Sequence, residues 1–247
     1  MPWSNGKPEL SIVIPVYRRG GSVVFELADI ERFCELSPLN VQLILVDDGS
    51  AQKISEQLFS FAAEHTAVTF IKHAVNMGKG RAIADGVAAA EAPIVVFTDV
   101  DISYELDTIH DIVHRFRSDP RSHFIVGSRR HTDSDIQRNH NVVRRMLSWC
   151  FNVAARFVVG LKFSDVQCGI KGFRTDAARL LFSDLIVSRF AFDVEIFLRA
   201  RKYGLRFEEI PVIYRHDRGN MLRIFPGSIN LLNDLWRLYV SYRKAQQ

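Results

Sequence analysis

Short apolar runs alternate with amphipathic stretches through the front half of the chain, and this pattern most narrows the folds open to it. Leu10–Pro15, Val41–Val46, Val68–Ile71, Ile94–Thr98 and Phe124–Val126 read as strands. Between them, Ser22–Leu36, Gln52–His65, Gly80–Ala90 and Glu105–Arg117 read as helices. Strands that are apolar on both faces belong inside a sheet covered on both sides. The alternation therefore predicts an α/β fold, a mainly parallel Rossmann-like sheet with helices on both faces. Ligands of such sheets bind where the strands' carboxyl ends open into loops.

The back half is less regular. Residues 127–141 are polar and basic and read as a long loop. Helices are expected over Asn141–Gly160, Thr175–Phe182, Phe192–Tyr203 and Ile229–Arg243, with a turn region at Asp165–Gly172 and a strand at Phe207–Tyr214. No linker divides the 247 residues, so one domain is expected: a front half, 1–114, and a back half, 115–247. Residues 1–114 carry a net −8 and the remainder +12. An acidic front half argues against nucleic acid as a partner, and a basic back half suits phosphates or lipid headgroups, although an ordinary solvated basic surface has the same charge.

The longest charge-free run, Leu36–Val46, is 11 residues, against about 20 for a spanning helix. The first ten residues have no apolar core of a secretory signal. Cys34, Cys150 and Cys168 are odd in number and scattered, as expected of reduced thiols in a cytoplasmic protein.

Several motifs carry chemistry. Val46-Asp47-Asp48-Gly49-Ser50 ends a strand; its carboxylates suit hydrogen bonds from a nucleoside, although an Asp-Gly turn and helix cap have the same appearance. Thr98-Asp99-Val100-Asp101 also ends a strand. Residues two apart share one side of an extended chain, and two hard-oxygen ligands there suit Mg²⁺ or Mn²⁺. Asn76-Met77-Gly78-Lys79-Gly80-Arg81 opens a helix whose N-terminus favours an anion, yet it matches neither the Walker loop nor the dinucleotide fingerprint. Gly127-Ser128-Arg129, with Arg144 and Ser148 one helical turn apart, offers guanidinium forks and a hydroxyl to a phosphate. Residues 165–174 and 189–195 set Gln167, Lys171, Asp193 and Glu195 among aromatics and glycines, as in a lined pocket, with Asp193 a candidate base or hydroxyl ligand.

Taken together and in this order, Ile14-Pro15-Val16-Tyr17, VDDGS, NMGKG, TDVD and GSR resemble the family 2 glycosyltransferases of the GT-A fold, over roughly residues 10 to 215. DVQCGIKGF and RFAFDVE look most like the dolichyl-phosphate β-glucosyltransferases, with other polyprenyl-phosphate sugar synthases close behind. The resemblance implies an enzyme: an inverting hexosyltransferase that moves a sugar, glucose from UDP-glucose, from a nucleotide-diphosphate sugar to a polyprenyl phosphate such as dolichyl or undecaprenyl phosphate. By motif match, Pro15, Tyr17, Asp47, Asp48, Lys79 and Asp99 would bind the nucleotide sugar. Asp99 and Asp101 would bind Mg²⁺ or Mn²⁺. Arg129, Arg144 (or Arg145 in the alternative register) and Ser148 would grip the acceptor phosphate, and Asp193 would complete the catalytic set with Asp99, Asp101 and Arg129.

The chain departs from the family pattern in three places, one of them that many relatives carry transmembrane helices and none is expected here. Arg18-Arg19 stands in place of the usual Asn-Glu, and Ser103 in place of a Gln that helps bind metal in the mannose-phosphate relatives. The alternatives are transfer to a polysaccharide or protein hydroxyl and a non-catalytic nucleotide-binding protein. A lipid acceptor requires contact with a membrane surface, here from the cytoplasmic side as a peripheral protein. Asn141–Gly160 and Ile229–Arg243 are the amphipathic candidates; the latter carries Leu232, Leu235, Trp236 and Tyr239 at helical spacing.

Overall fold

A computed structural model describes residues 6–100, 107–136, 142–160, 162–214 and 224–244, with side chains left out of the description at part of the helices near 142–148 and 224–230. The strands are β1 (Leu10–Val16), β2 (Val41–Asp47), β3 (Val68–Lys72), β4 (Ile94–Phe97), β5 (Phe124–Ser128), β6 (Asp135–Ile136), β7 (Lys171–Arg174), β8 (Phe207–Pro211) and β9 (Ile213–Tyr214). The helices are α1 (Val24–Leu36), α2 (Gln52–Glu64), α3 (Lys79–Ala88), α4 (Asp107–Ser118), α5 (Val142–Val159), α6 (Thr175–Phe182), α7 (Phe192–Lys202) and α8 (Ile224–Lys244).

Seven strands form one sheet in the order β3-β2-β1-β4-β7-β5-β8, and β6 pairs with β9 separately. All pairings in the large sheet are parallel except those of β7, which runs antiparallel to both β4 and β5. Alternate residues of the central strands feed two cores. Val13, Ile44, Val95 and Phe97 face the side covered by α3, α6 and α7. Ile12, Ile14, Leu43, Leu45 and Val96 face the side covered by α1, α2 and α4. The period of two along each strand produces this division. α3 lies close on β1: a Cβ at Gly86 would come within 2.4 Å of the Val13 side chain.

The architecture differs from the sequence expectation in several places: β6 falls within the stretch 127–141 expected to be loop, and the strand expected over Phe207–Tyr214 is divided between β8 and β9, which belong to different sheets. Lys171–Arg174 is a strand that begins inside the turn region expected over Asp165–Gly172, and its Phe173 stacks between Phe97 and Phe124 at 5.9 and 5.5 Å. Only four residues long and interrupted by Gly172, β7 has too little periodicity to announce itself. α8 begins at Ile224, five residues ahead of the expected start.

Because β7 is reversed, its first residue lies at the same sheet edge as the carboxyl ends of β1, β2, β4 and β5. Strand order turns at β1 and β4, where α/β sheets open a crevice for ligands.

Candidate active site

Pro15 lies near the end of β1 and Tyr17 directly follows that strand, its ring half-exposed with its hydroxyl accepting from Arg19 Nε at 2.9 Å. Arg18 turns away toward α1, donating to Ser22 O at 2.5 Å and pairing with Glu26 at 2.7 Å.

Asp47 closes β2 and is fully buried. Its Oδ1 accepts the backbone N–H of Ser50 at 2.9 Å, while Oδ2 has no hydrogen-bond partner among the described residues. A buried carboxylate oxygen without a donor is costly, and its position at a strand end fits a donor supplied by a ligand.

Asp48, its neighbour, has a different task. Its carboxylate accepts Met77 N at 2.7 Å, Gly78 N at 2.9 Å and Asn76 Nδ2 at 2.7 Å, with His73 Nδ1 at 2.8 Å. His73 Nε2 in turn lies 3.0 Å from Asp85. Asp48 therefore ties down the loop that leads into α3. The expectation that it contacts nucleotide meets a side chain already engaged with that loop. Nothing local marked His73: both of its carboxylate partners are distant in sequence. Gly78 at φ 101° sits where its Cβ would come within 2.5 Å of Ser188 O, so only glycine fits that turn.

The same loop presents Lys79, the first residue of α3, whose Nζ is 2.5 Å from Asp99 Oδ1. Asp99 lies just past β4 and is partly exposed. Beside this pair lies a second. Lys171 is fully buried, and its Nζ donates to Asp193 Oδ1 at 2.6 Å and Cys168 O at 2.8 Å while lying 5.3 Å from the Phe97 ring. Burial pushes the Asp193 carboxyl above its ordinary range; Lys171 and Lys79 pull it down, and Asp99 pushes it up. Gly80 brings the two pairs together, since a Cβ there would come within 2.6 Å of Phe192 Cβ. The starts of α3 and α7 therefore touch.

Arg129 follows β5 and is held by Asp165: Nε to Oδ2 at 2.6 Å and an Nη to Oδ1 at 2.9 Å. Asp165 is buried, an effect that raises its pKa, but Arg129 and Lys171 overcome it and hold the carboxyl below the usual range. Glu195, expected to line a pocket, instead accepts the backbone N–H groups of Ile186 and Val187 at 2.9 and 3.0 Å. Burial raises its pKa against those hydrogen bonds. Arg144 and Ser148 lie in α5, but their side chains are outside the described residues, as is Asp101 altogether. Among the described residues no cluster of three or more His, Cys, Asp or Glu is arranged to hold a metal. Asp99 alone supplies one partly exposed hard-oxygen donor, a fit to Mg²⁺ or Mn²⁺ where a ligand's phosphates add further oxygens.

The glycosyl transferase family 2 profile matches residues 11–182. The dolichyl-phosphate beta-glucosyltransferase of Dictyostelium discoideum is 27% identical over 244 residues, covering 94% of this chain and 74% of that protein. Its namesake in Drosophila melanogaster is 29% identical, over 95% of this chain and 75% of that one. The human protein of that name is 27% identical, over 97% and 78%. Among solved structures, glucosyl-3-phosphoglycerate synthase from Mycobacterium tuberculosis in complex with phosphoglyceric acid superposes with a TM-score of 0.69 at 17% identity, over 94% of this chain and 80% of that one. The same enzyme in complex with Mn²⁺, UDP-glucose and phosphoglyceric acid gives 0.68 at 16%, over 95% and 79%. These structures share the GT-A fold with the present chain. With the profile covering well over half of it, the chain belongs to glycosyl transferase family 2.

Proposed function

We propose that this glycosyltransferase transfers glucose from UDP-glucose to a polyprenyl phosphate with inversion at the anomeric carbon. One observation carries the reading: at the carboxyl end of β4, two cation–carboxylate pairs, Lys79–Asp99 and Lys171–Asp193, stand side by side. That arrangement suits a reaction whose main demand is neutralising a leaving diphosphate. The relatives named for dolichyl phosphate support the acceptor class.

In this reading the chain is one catalytic unit, its front half (1–114) holding the donor and its back half (115–247) the acceptor. Asp47 Oδ2 awaits a nucleoside N–H or O–H. Lys79 exchanges part of its hold on Asp99 for the diphosphate. Asp193 accepts hydroxyls of the donor sugar. A divalent cation, held by Asp99 and Asp101, would add positive charge at the leaving group. Arg129, Arg144 and Ser148 receive the acceptor phosphate. A phosphate monoester with a second pKa near 6 is largely a dianion at neutral pH. It attacks without needing a strong base, so placement supplies much of the rate.

The lipid acceptor implies work at a membrane surface as a peripheral protein on the cytoplasmic face. No described helix is long and apolar enough to cross a bilayer. α5 and α8 pack together and leave Met146, Trp149, Val153 and Phe157 of the first and Leu232 and Trp236 of the second exposed. Arg156, Arg237 and Arg243 flank them. An aromatic, apolar ridge with basic borders suits an anionic lipid interface.

The test is a donor and acceptor panel. Purified protein with Mg²⁺ or Mn²⁺ is offered UDP- and GDP-sugars and a short-chain polyprenyl phosphate, with product followed by mass. A glycosyl-phosphoryl-lipid that disappears with EDTA or with Asp101→Ala is the expected result. Donor binding without such a product sinks the acceptor assignment.

A further inference from the structure

We propose that Lys171 is a positioning residue for the transfer reaction, fixing Asp193 in one orientation as the acceptor of donor-sugar hydroxyls. The inference rests on the reading of Asp193 given above.

A lysine with no exposed surface is rare and costly. Stability alone does not account for it, because a buried ion pair is often no better than apolar side chains of the same volume. Its location carries more information. β7 is the reversed strand, and its register sets Lys171 opposite Phe97, the last residue of β4. Two residues on from Phe97 stands Asp99. The reversal therefore delivers one buried cation to the carboxyl end of β4, beside the Lys79–Asp99 pair.

The ammonium is locked from three sides: Cys168 O at 2.8 Å, Asp193 Oδ1 at 2.6 Å and the Phe97 ring at 5.3 Å. It has no freedom to follow a substrate. What it determines is the pose of Asp193, in the first turn of α7. Lys79 is the competing cation. It acts on Asp193 through space and sits on the helix start that Gly80 presses against Phe192. With Lys171 holding Asp193, Lys79 pairs with Asp99 at 2.5 Å and stays directed toward the phosphate side. Without Lys171, two carboxylates would share one lysine, and Asp193 would be drawn from the sugar position. A carboxylate has about four lone-pair sites, of which Lys171 engages one oxygen, so acceptor capacity for hydroxyls remains.

The experiment compares wild type, Lys171→Met, Asp193→Asn and the double variant by calorimetric titration with UDP and with UDP-glucose, each with Mg²⁺, beside thermal unfolding. Lys171→Met leaves a buried carboxylate unpaired and is expected to lower Tm; Lys171→Met/Asp193→Asn removes both charges and recovers much of that loss. In both, UDP affinity stays within about threefold of wild type, while the extra affinity conferred by glucose falls about tenfold. Donor KM rises correspondingly more than kcat falls.

Equal weakening of UDP and UDP-glucose in Lys171→Met overturns the inference, because a merely structural lysine would behave that way, and the same result in Asp193→Asn overturns the reading of Asp193 on which it rests. Wild-type preference for UDP-glucose over UDP in either Lys171 variant also overturns the inference. Wild-type protein that binds neither ligand overturns it together with the donor reading. The lipid acceptor is absent from these titrations, so failure to glycosylate a polyprenyl phosphate is a separate result that bears on the acceptor assignment alone.

Discussion

Asp48 accepts the backbone N–H of Gly78 at 2.9 Å, across 30 positions of chain. The same carboxylate holds Met77 N and the Asn76 side chain, so one buried charge shapes the loop that presents Lys79. Hydrogen bonds to a charged group contribute about 1.5–3 kcal/mol each, not additively. Asp48→Ala is expected to lower unfolding free energy by on the order of 3 kcal/mol and to weaken UDP binding at least tenfold. Urea unfolding and nucleotide titration check both; a stable variant with wild-type nucleotide affinity refutes the assignment.

Gly78 is the loop's second requirement. At φ 101°, with Ser188 O 2.5 Å from where a Cβ would lie, alanine meets both strain and a backbone clash. Unusual backbone conformations cost on the order of 1–3 kcal/mol. Gly78→Ala should lower Tm and displace Lys79, reducing donor kcat/KM more than tenfold.

Lys79 differs from these two because it is partly exposed and its pairing with Asp99 adds little to stability. Lys79→Met should leave unfolding within about 1 kcal/mol of wild type. Its donor kcat/KM should fall about a hundredfold, as for loss of one preorganised charge on the leaving group. Retained turnover would remove Lys79 from the leaving-group role.

The Arg129–Asp165 pair makes a pH prediction. Asp165 titrates below its ordinary 3.8 in the folded protein. A depressed carboxyl contributes stability that is present above the unfolded value and lost as pH falls through the folded one. The affected window therefore lies below about pH 4. Asp165→Asn should cost about 3 kcal/mol at neutral pH, with the gap to wild type narrowing below pH 4 in urea titrations.

At the proposed membrane face, Phe157 is 79% and Trp236 66% exposed. Phe157→Ser/Trp236→Ser should leave Tm unchanged and reduce co-sedimentation with anionic liposomes severalfold. Wild-type sedimentation by that variant, or none by the wild type, refutes lipid contact through this ridge.

Several of the candidate residues were legible because they sit in short contiguous blocks at strand ends and helix starts. Asp47 and Asp99 are visible from strand boundaries, since a strand's apolar run marks where its loop begins, and Lys79 from the glycine-flanked start of α3. Asp165 as the partner of Arg129, and His73 between Asp48 and Asp85, were not legible. Their pairings depend on where separate loops meet. Glu195 illustrates the opposite error: its composition resembles a pocket wall, yet its oxygens are engaged with the Ile186 and Val187 amides.

The sequence by itself determined the α/β class, the parallel strands of the front half and the sheet edge at which the candidate residues lie, because period and strand length are local properties. Only the tertiary structure decided that β7 enters the sheet reversed between β4 and β5, that Asp48 serves its loop, and that Lys171 pairs with Asp193 at the carboxyl end of β4. Each depends on strand register and helix contact between distant segments. There the cost of burying a charge is offset only by a partner that folding brings to it.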